Sequence, residues 1–189
     1  MLLGAYSQGA FPMTDPDGVT RWYSTDPRGV LPLDNFHCPR TLRQLVKQRR
    51  FDIRINTAFE DVMRACKDVE RGDRDSGWIS DELVAAYVRL HDMGYAHSVE
   101  AWQDNQLVGG LYGVSLGGAF FGESMFFRAP NASKVCLVHL VQRLIDREYL
   151  LLDTQMVTTH MIQFGATHIP ADEYMDQLDV ALQKDCSFI

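Results

Sequence analysis

Hydrophobic and polar positions follow two different periods along this chain of 189 residues. Apolar residues spaced three and four positions apart predict amphipathic helices, whereas strict alternation predicts half-buried strands. The predicted helices span 2–8, 41–48, 59–69, 83–93, 131 or 133 to 149, 160–164 and 171–182. The predicted strands span 21–24, 29–31, 51–56, 95–102, 107–116, 119–127 and 150–156, and a polar loop is predicted at 70–77.

Short turns at Asp104-Asn105 and Gly117-Gly118 join three consecutive predicted strands, which indicates an antiparallel meander. A long helix then separates the third of these strands from the strand at 150–156, and such a crossover produces a mixed sheet. We therefore predict an α+β fold with a mixed sheet flanked by helices. This element order resembles that of GNAT-type acyltransferases, in which the two strands around the crossover helix splay apart.

The first part of the chain is rich in turn-forming residues. Five of the seven prolines lie in it or just after it, at positions 12, 16, 27, 32 and 39. Short strands joined by ordered turns are the expected structure. We predict a small N-terminal domain at 1–35 and a larger domain at 36–189.

Composition narrows the class of protein. Hydrophobic residues make up 46% and charged residues 23% of the chain, which is typical of a soluble globular protein. No apolar run approaches the about 20 residues of a membrane-spanning helix, and the first residues do not resemble a signal peptide. The four cysteines form no CxxC pair, which argues against a zinc site or a disulfide framework. We expect a cytoplasmic protein without a metal or a membrane partner.

One stretch of the chain is basic although the net charge is −7. Between positions 36 and 54 lie six of the 18 basic residues, opposed there only by Asp52. A solvated helix face is one interpretation of this run. A local patch that contacts phosphate groups is the other.

Two carboxylates interrupt apolar predicted strands. Glu123 lies in the strand at 119–127, and Asp153 lies in the strand at 150–156, two positions before Gln155. A buried charge is costly unless a partner compensates it, so Glu123 either forms a buried salt bridge or holds an α-ammonium group. Asp153 and Gln155 are expected to share one face of their strand. They either hydrogen-bond a nearby loop or act on an amine nucleophile or an ester carbonyl.

Other residues near these carboxylates also allow two interpretations. The Phe, Met and Leu residues around Glu123 are either plain core or the lining of a pocket for an apolar side chain. Trp78 follows a polar loop, where a tryptophan either packs onto the loop or stacks on a nucleic acid base. The six histidines show no metal-ligand spacing, so we interpret all of them as structural.

Eight short strings follow one another along the chain, namely Phe11–Met13, Trp22–Arg28, Gly77–Ile79, Ala96–Glu100, Leu107–Val114, Phe121–Phe126, Asn131–Lys134 and Asp153–Gln155. Together they closely resemble the bacterial leucyl/phenylalanyl-tRNA–protein transferases. Each string alone is a weak signal, but the ordered set covers nearly the whole chain and is highly specific.

The resemblance implies a GNAT-like catalytic domain at 36–189, preceded by a partial N-terminal domain that lacks the family's first residues. It implies transfer of Leu, Phe or Met from aminoacyl-tRNA to a protein that begins with Arg or Lys, which marks that protein for N-end-rule degradation. No cofactor is implied, because an aminoacyl ester is already activated and needs mainly proximity and oxyanion support. A monomer is expected.

The resemblance also implies roles for individual residues. Asp153 and Gln155 correspond to the catalytic pair, Glu123 to a carboxylate that orients the substrate, and Trp78 to a residue near the terminal adenosine. The implied pocket for the transferred side chain consists of Leu111, Phe120, Met125, Leu140, Leu144 and Leu152. The residues implied to contact the tRNA acceptor arm are Arg40 and Lys47, with Arg43 beside them.

Two other functions stay open at this point. One is a coenzyme A-dependent GNAT acetyltransferase, although the run at 128–133 has no glycine and contains Pro130, which removes a backbone donor from the expected pyrophosphate site. The other is an inactive relative that binds tRNA or a degradation signal without turnover.

Overall fold

The computed structural model describes residues 2–69 and 77–189. The helices in these ranges are α1 Leu2–Tyr6, α2 Arg40–Lys47, α3 Phe59–Lys67, α4 Asp81–Asp92, α5 Ala132–Asp146, α6 Thr159–Ile162 and α7 Ala171–Leu182. The strands are β1 Phe11–Thr14, β2 Thr20–Tyr23, β3 Arg28–Val30, β4 Asp52–Ile55, β5 Ala96–Gln103, β6 Gln106–Leu116, β7 Ala119–Phe127, β8 Leu151–Gln155 and β9 Thr167–Ile169. Residues 70–76 of the predicted polar loop lie outside the described residues.

The hydrophobic pattern predicted most of these elements, and every predicted helix and strand is confirmed within a few residues. Two short strands, β1 and β9, were not predicted. β1 contains Pro12, and β9 has only three residues, all partly or fully exposed, so neither presents an alternating apolar pattern. Within the described ranges, no helix is long and apolar enough to cross a bilayer.

Seven of the strands form one mixed sheet in the order β4-β5-β6-β7-β8-β3-β9. All neighbours pair antiparallel except β7 and β8, which are parallel because α5 connects them. The first turn of the meander uses Asp104 and Asn105 with φ of 51° and 59°, the left-handed conformation that tight hairpins require. The predicted mixed sheet with a crossover helix is therefore confirmed.

The parallel pair separates before either strand ends. β7 and β8 pair only from Ala119 with Leu151 to Phe121 with Asp153, although β7 continues to residue 127. On its other edge, β7 shifts register against β6 between Tyr112 and Gly113, so that Glu123 is the extra residue of a bulge. The predicted splay is confirmed, and the bulge places Glu123 at its opening.

The sheet has a separate hydrophobic core on each face. On one face, α5 packs with β-strand residues such as Leu111 and Leu152, and α2 contributes Leu42 to the same cluster. On the other face, α1, α3, α4 and α7 pack against residues such as Tyr112 and Phe121.

The N-terminal segment is divided between the two sheets. β1 and β2 form a separate two-stranded sheet, whereas β3 inserts between β8 and β9 in the larger one. Gly29 of β3 lies so close to the residues that follow β8 that a Cβ atom there would approach the Met156 carbonyl carbon to 2.7 Å. The domain boundary at residue 35 stays a prediction, although residues 28–30 already belong to the larger sheet.

Two helix starts on the second face are fixed by side chains. Ser80 caps α4, because its hydroxyl accepts a hydrogen bond from the Leu83 amide at 3.2 Å. The carboxylate of Glu100 is fully buried and accepts from the amides of Thr57 and Ala58 at 2.8 and 2.9 Å. Glu100 is thus an interior cap for α3 and not part of the site described below.

Candidate active site

A cavity of about 390 Å³ lies where β7 and β8 separate. Its lining consists of Leu111, Tyr112, Gly122, Glu123, Ser124, Met125, Leu137, Leu140, Leu152, Thr154, Met156, Thr158, His160 and Met161. The lining is apolar on the α5 side and carries a carboxylate towards the opposite side. Five of the eight predicted substrate-contacting residues line it, namely Glu123, Leu111, Met125, Leu140 and Leu152.

Phe120 and Leu144 do not line this cavity. Both are fully buried in the cluster behind it, where Phe120 stacks on Phe188 at 5.2 Å between ring centroids. Phe120 lies outside the cavity because it pairs with Leu152 in the part of the sheet where β7 and β8 are still joined, before they separate. These two residues support the apolar wall from behind.

Trp78 also lies away from the cavity lining. Its indole is half-buried against the cluster that contains α4, and its carbonyl oxygen accepts a hydrogen bond from the Thr14 amide at 3.0 Å. Trp78 therefore joins β1 to the segment before α4, and its predicted position near an adenosine stays a prediction.

Glu123 reaches towards two buried tyrosines and not towards a basic residue. The Tyr6 hydroxyl donates to Oε1 at 2.7 Å, and the Tyr87 hydroxyl donates to Oε2 at 3.1 Å. The two hydroxyl oxygens are also in contact with each other. Because two hydroxyls have only two protons, all three hydrogen bonds form together only when Glu123 is protonated. Burial raises the pKa of Glu123 to about 7, and the two tyrosine bonds oppose this rise. The carboxylate is thus held in place and titrates near neutral pH.

Asp153 forms the buried ion pair that had been considered for Glu123. Arg28 donates to both of its oxygens, from Nε to Oδ1 at 3.0 Å and from NH2 to Oδ2 at 2.6 Å. The Tyr174 hydroxyl donates to Oδ2 at 2.8 Å. Arg28 in turn lies over the rings of Phe11 and Tyr174. Asp153 is therefore fully partnered on the face of β8 opposite to the apolar cavity wall.

Gln155 ends β8 in a left-handed conformation, with φ of 56°. Asp153 stabilises this conformation, because its Oδ1 accepts a hydrogen bond from the Gln155 amide at 2.8 Å. Regular strand geometry ends at this residue, and its backbone amide bonds directly to the Asp153 carboxylate. The predicted shared face of the two side chains stays a prediction. The strand neighbours Leu152 and Thr154 supply the cavity lining instead.

The end of β8 and the segment after it contribute lining residues that sequence patterns did not assign. Thr154, Met156, Thr158, His160 and Met161 all line the cavity, whereas the sequence interpretation gives His160 only a structural role. The side-chain atoms Oγ1 of Thr154 and Nε2 of His160 are buried and have no hydrogen-bond partner in the described part of the chain. No local pattern pointed to them, and His160 reaches the splay only through the turn after Gln155. The same residues include no cluster suited to a metal ion within the described ranges.

The basic run forms an exposed face of α2. Arg40, Arg43 and Lys47 are exposed, while Leu42 anchors the helix in the cluster that contains α5. The surface just beyond α2 holds a second cavity of about 470 Å³ with Arg49 and Arg50 at its edge. The basic face and the apolar part of the first cavity thus lie on the same side of the sheet.

Two family models match the chain. The model for leucyl/phenylalanyl-tRNA protein transferase matches residues 30–179, and the model for the N-terminal domain of that transferase matches residues 1–26. The leucyl/phenylalanyl-tRNA–protein transferase of Gloeobacter violaceus is 52% identical over 189 residues, which cover 100% of this chain and 95% of that protein.

Solved structures show a more distant likeness. L-PGS from Bacillus licheniformis has a TM-score of 0.49 and 10% identity, with 84% of this chain and 58% of that chain covered. A GCN5-related N-acetyltransferase-like protein from Streptococcus suis has a TM-score of 0.42 and 19% identity, with 88% of this chain and 61% of that chain covered.

Proposed function

This chain belongs to the leucyl/phenylalanyl-tRNA–protein transferase family, and from that premise we propose how its cavity performs aminoacyl transfer from tRNA to a protein N-terminus. The enzyme is an acyltransferase with aminoacyl-tRNA and protein as its two substrates. A role in marking proteins for N-end-rule degradation is consistent with the family. The observation that carries the proposal is the apolar cavity at the splay with a carboxylate at one side.

The apolar part of the cavity accommodates the transferred side chain. Its volume of about 390 Å³ falls in the usual range for small-ligand sites, roughly 300–1,000 Å³. Leu111, Met125, Leu140 and Leu152 provide unbranched or γ-branched walls, which suit Leu, Phe and Met. A β-branched side chain is broadest next to its backbone and fits such a wall less well.

Glu123 orients the acceptor protein. In its ionised form it pairs with the cationic side chain of an N-terminal Arg or Lys, because no basic side chain of the described residues bonds to it. Tyr6 and Tyr87 hold the carboxylate in one orientation, so that the acceptor amine reaches the ester from the splay. This pairing is the basis for proposing Arg and Lys as acceptors.

Asp153 and Gln155 have different roles in the transfer. Asp153 is a positioning residue, because its oxygens are already bonded to Arg28, Tyr174 and the Gln155 amide. The side-chain nitrogen Nε2 of Gln155, unlike its backbone amide, is buried without a partner in the described part of the chain. We assign it as the donor that stabilises the carbonyl oxygen as negative charge develops there.

The bond changes in this step balance without a further reactant. The acceptor amine forms an amide bond with the carbonyl carbon, and the bond from that carbon to the ribose oxygen breaks. The amine loses one proton and the departing ribose oxygen gains one. Proximity of the two substrates supplies much of the rate, since the ester is already activated.

The exposed basic face of α2 positions the tRNA. Arg40, Arg43 and Lys47 are placed to contact phosphates of the acceptor arm, which gives affinity without sequence readout. Trp78 is proposed to contact the terminal adenosine. The protein acts as a monomer in the cytoplasm, where charged tRNA is made, and needs no cofactor in this scheme.

Transfer of labelled leucine tests the proposed function. Purified protein, Leu-tRNA and a peptide that begins with Arg are expected to give a labelled peptide, whereas a peptide that begins with Asp stays unlabelled. Acetyl-CoA in place of Leu-tRNA is expected to give no acetylated peptide. No transfer from Leu-tRNA, Phe-tRNA or Met-tRNA to Arg or Lys peptides would refute the proposal.

A further inference from the structure

The segment 154–160 carries three buried polar atoms without a hydrogen-bond partner in the described part of the chain, namely Thr154 Oγ1, Gln155 Nε2 and His160 Nε2. Thr154 and His160 line the apolar cavity, and Gln155 lies between the lining residues Thr154 and Met156. A buried polar atom without a partner is unfavourable in a free protein. A ligand in the cavity would supply the missing partners of Thr154 and His160.

The chemistry of the three atoms divides them into two kinds. The amide nitrogen of Gln155 can only donate, so it suits a carbonyl oxygen, which can only accept. The Thr154 hydroxyl and an imidazole nitrogen can each accept a hydrogen bond. An aminoacyl ester presents one carbonyl oxygen and one amino group close to its side chain. Thr154 Oγ1 and His160 Nε2 are therefore the atoms suited to accept hydrogen bonds from the amino group.

The charge state of His160 fits this assignment. Burial lowers the pKa of His160, and the positive charge of Lys134 lowers it further. The imidazole is therefore neutral at physiological pH and keeps one nitrogen lone pair. Its ring is held at an angle to Phe164, with the ring centroids 5.6 Å apart, so its orientation at the cavity wall is constrained.

We propose that Thr154 and His160 bind the free α-amino group of the amino acid being transferred, so that the site selects aminoacyl-tRNA and rejects N-acylated aminoacyl-tRNA. An acyl group removes hydrogens from that nitrogen and adds bulk at a wall formed by Met156 and Met161. This inference rests on the proposed function, because it assigns a second contact to the same substrate. Neither residue was assigned a role by sequence.

Binding of two stable tRNA probes tests the assignment. One probe carries phenylalanine linked by an amide to the terminal ribose, and the other carries 3-phenylpropionate in the same linkage and so lacks only the amino group. For His160→Ala, we expect about tenfold weaker binding of the amino probe and less than twofold change for the other, as for one lost hydrogen bond. Thr154→Val, which replaces the hydroxyl by a methyl group, is expected to show the same selective loss.

Two variants serve as controls. His168→Ala changes an exposed histidine of β9 and is expected to bind both probes as the wild type does. His160→Gln retains an acceptor and is expected to recover part of the affinity for the amino probe. Binding of the phenylpropionyl probe shows in every variant that the cavity is folded.

The outcomes separate this inference from the proposed function. An equal loss for both probes in His160→Ala and Thr154→Val would overturn the assignment. So would wild-type protein that binds an N-acetylated phenylalanyl probe as tightly as the free amine. If the selective loss is seen but the wild type transfers no amino acid to peptide, the amino-group site holds and the proposed function fails.

Discussion

Arg28 and Asp153 form a buried ion pair that joins β3 to β8 behind the candidate active site. Their side chains are 1% and 0% exposed, and the contact from Arg28 NH2 to Asp153 Oδ2 is 2.6 Å. The remaining Arg28 donor NH1 bonds to the Gly9 carbonyl at 2.7 Å. The N-terminal segment is thereby attached to the same carboxylate that fixes the backbone of Gln155.

Replacement of Arg28 by methionine is expected to destabilise the fold strongly. It leaves a buried carboxylate without its cation, which typically costs about 3–5 kcal/mol. The double variant Arg28→Met with Asp153→Leu is expected to recover much of that stability, because both charges are gone, but to stay inactive. Urea unfolding of the three proteins measures this, and a loss below about 1 kcal/mol in Arg28→Met would contradict the account.

Stability is expected to fall as pH rises from about 4.5 to about 7. Glu123 has its pKa raised from 4.5 to about 7 in the folded state, so the folded protein holds a proton that the unfolded chain loses. The bound proton contributes its full stabilisation below the pKa of the unfolded chain, and this stabilisation disappears above the pKa of the folded protein. It amounts to up to about 3 kcal/mol. The free energy of unfolding should depend less on pH across this range in Glu123→Gln. Glu82→Gln, which changes an exposed residue, should keep the pH dependence of the wild type.

The same titration is expected to control acceptor binding. An ionised Glu123 attracts the cationic side chain of an N-terminal Arg, so KM for an Arg peptide should decrease as pH rises through about 7. Glu123→Gln should raise KM at pH 8 by roughly tenfold or more, as for loss of a charged hydrogen bond. A pH-independent KM in the wild type would show that Glu123 does not hold the acceptor.

Pocket size is expected to set the preference among transferred residues. Met125→Ala enlarges the cavity at a half-buried position and should shift the ratio of kcat/KM for Phe over Leu upward by about tenfold. Leu90→Ala removes a similar volume from the other core cluster and should lower stability without a change in that ratio. If the Phe/Leu ratio of kcat/KM is the same in the two variants, the cavity does not select the transferred side chain.

The basic face of α2 is expected to account for salt-dependent tRNA binding. Lys47→Ala removes an exposed cation and should reduce the slope of log affinity against log salt by about 1. Arg64→Ala serves as the matched control, because Arg64 is paired with Glu60 at 2.6 Å on α3. An unchanged slope in Lys47→Ala would place the tRNA elsewhere on the surface.

Local pattern was sufficient for those parts of the site that lie within one strand. The interrupted apolar strand singled out Glu123, and the long helix between β7 and β8 predicted the crossover, whereas the splay followed from the resemblance to GNAT-type acyltransferases. The five predicted substrate residues that line the cavity follow from the family resemblance and not from strand or helix periodicity.

Long-range partners could not be inferred in this way. Arg28 lies 125 residues from Asp153 in the sequence, and Tyr6 lies 117 residues from Glu123. The left-handed Gln155 directs the chain after β8 back to the cavity and brings His160 with it. Phe120 and Leu144 lie behind the wall because the depth of the splay depends on tertiary pairing, which periodicity does not report.

The most direct test of the central claim is a competition among all aminoacyl-tRNAs for one Arg-initiated peptide. Wild-type protein is incubated with a fully charged tRNA pool, and the added N-terminal residue is identified by mass spectrometry. The cavity predicts addition of Leu, Phe and Met, with Ile and Val each below about 1% of the product, the order of discrimination that shape can provide. Addition of Ile or Val at levels near that of Leu would contradict the account.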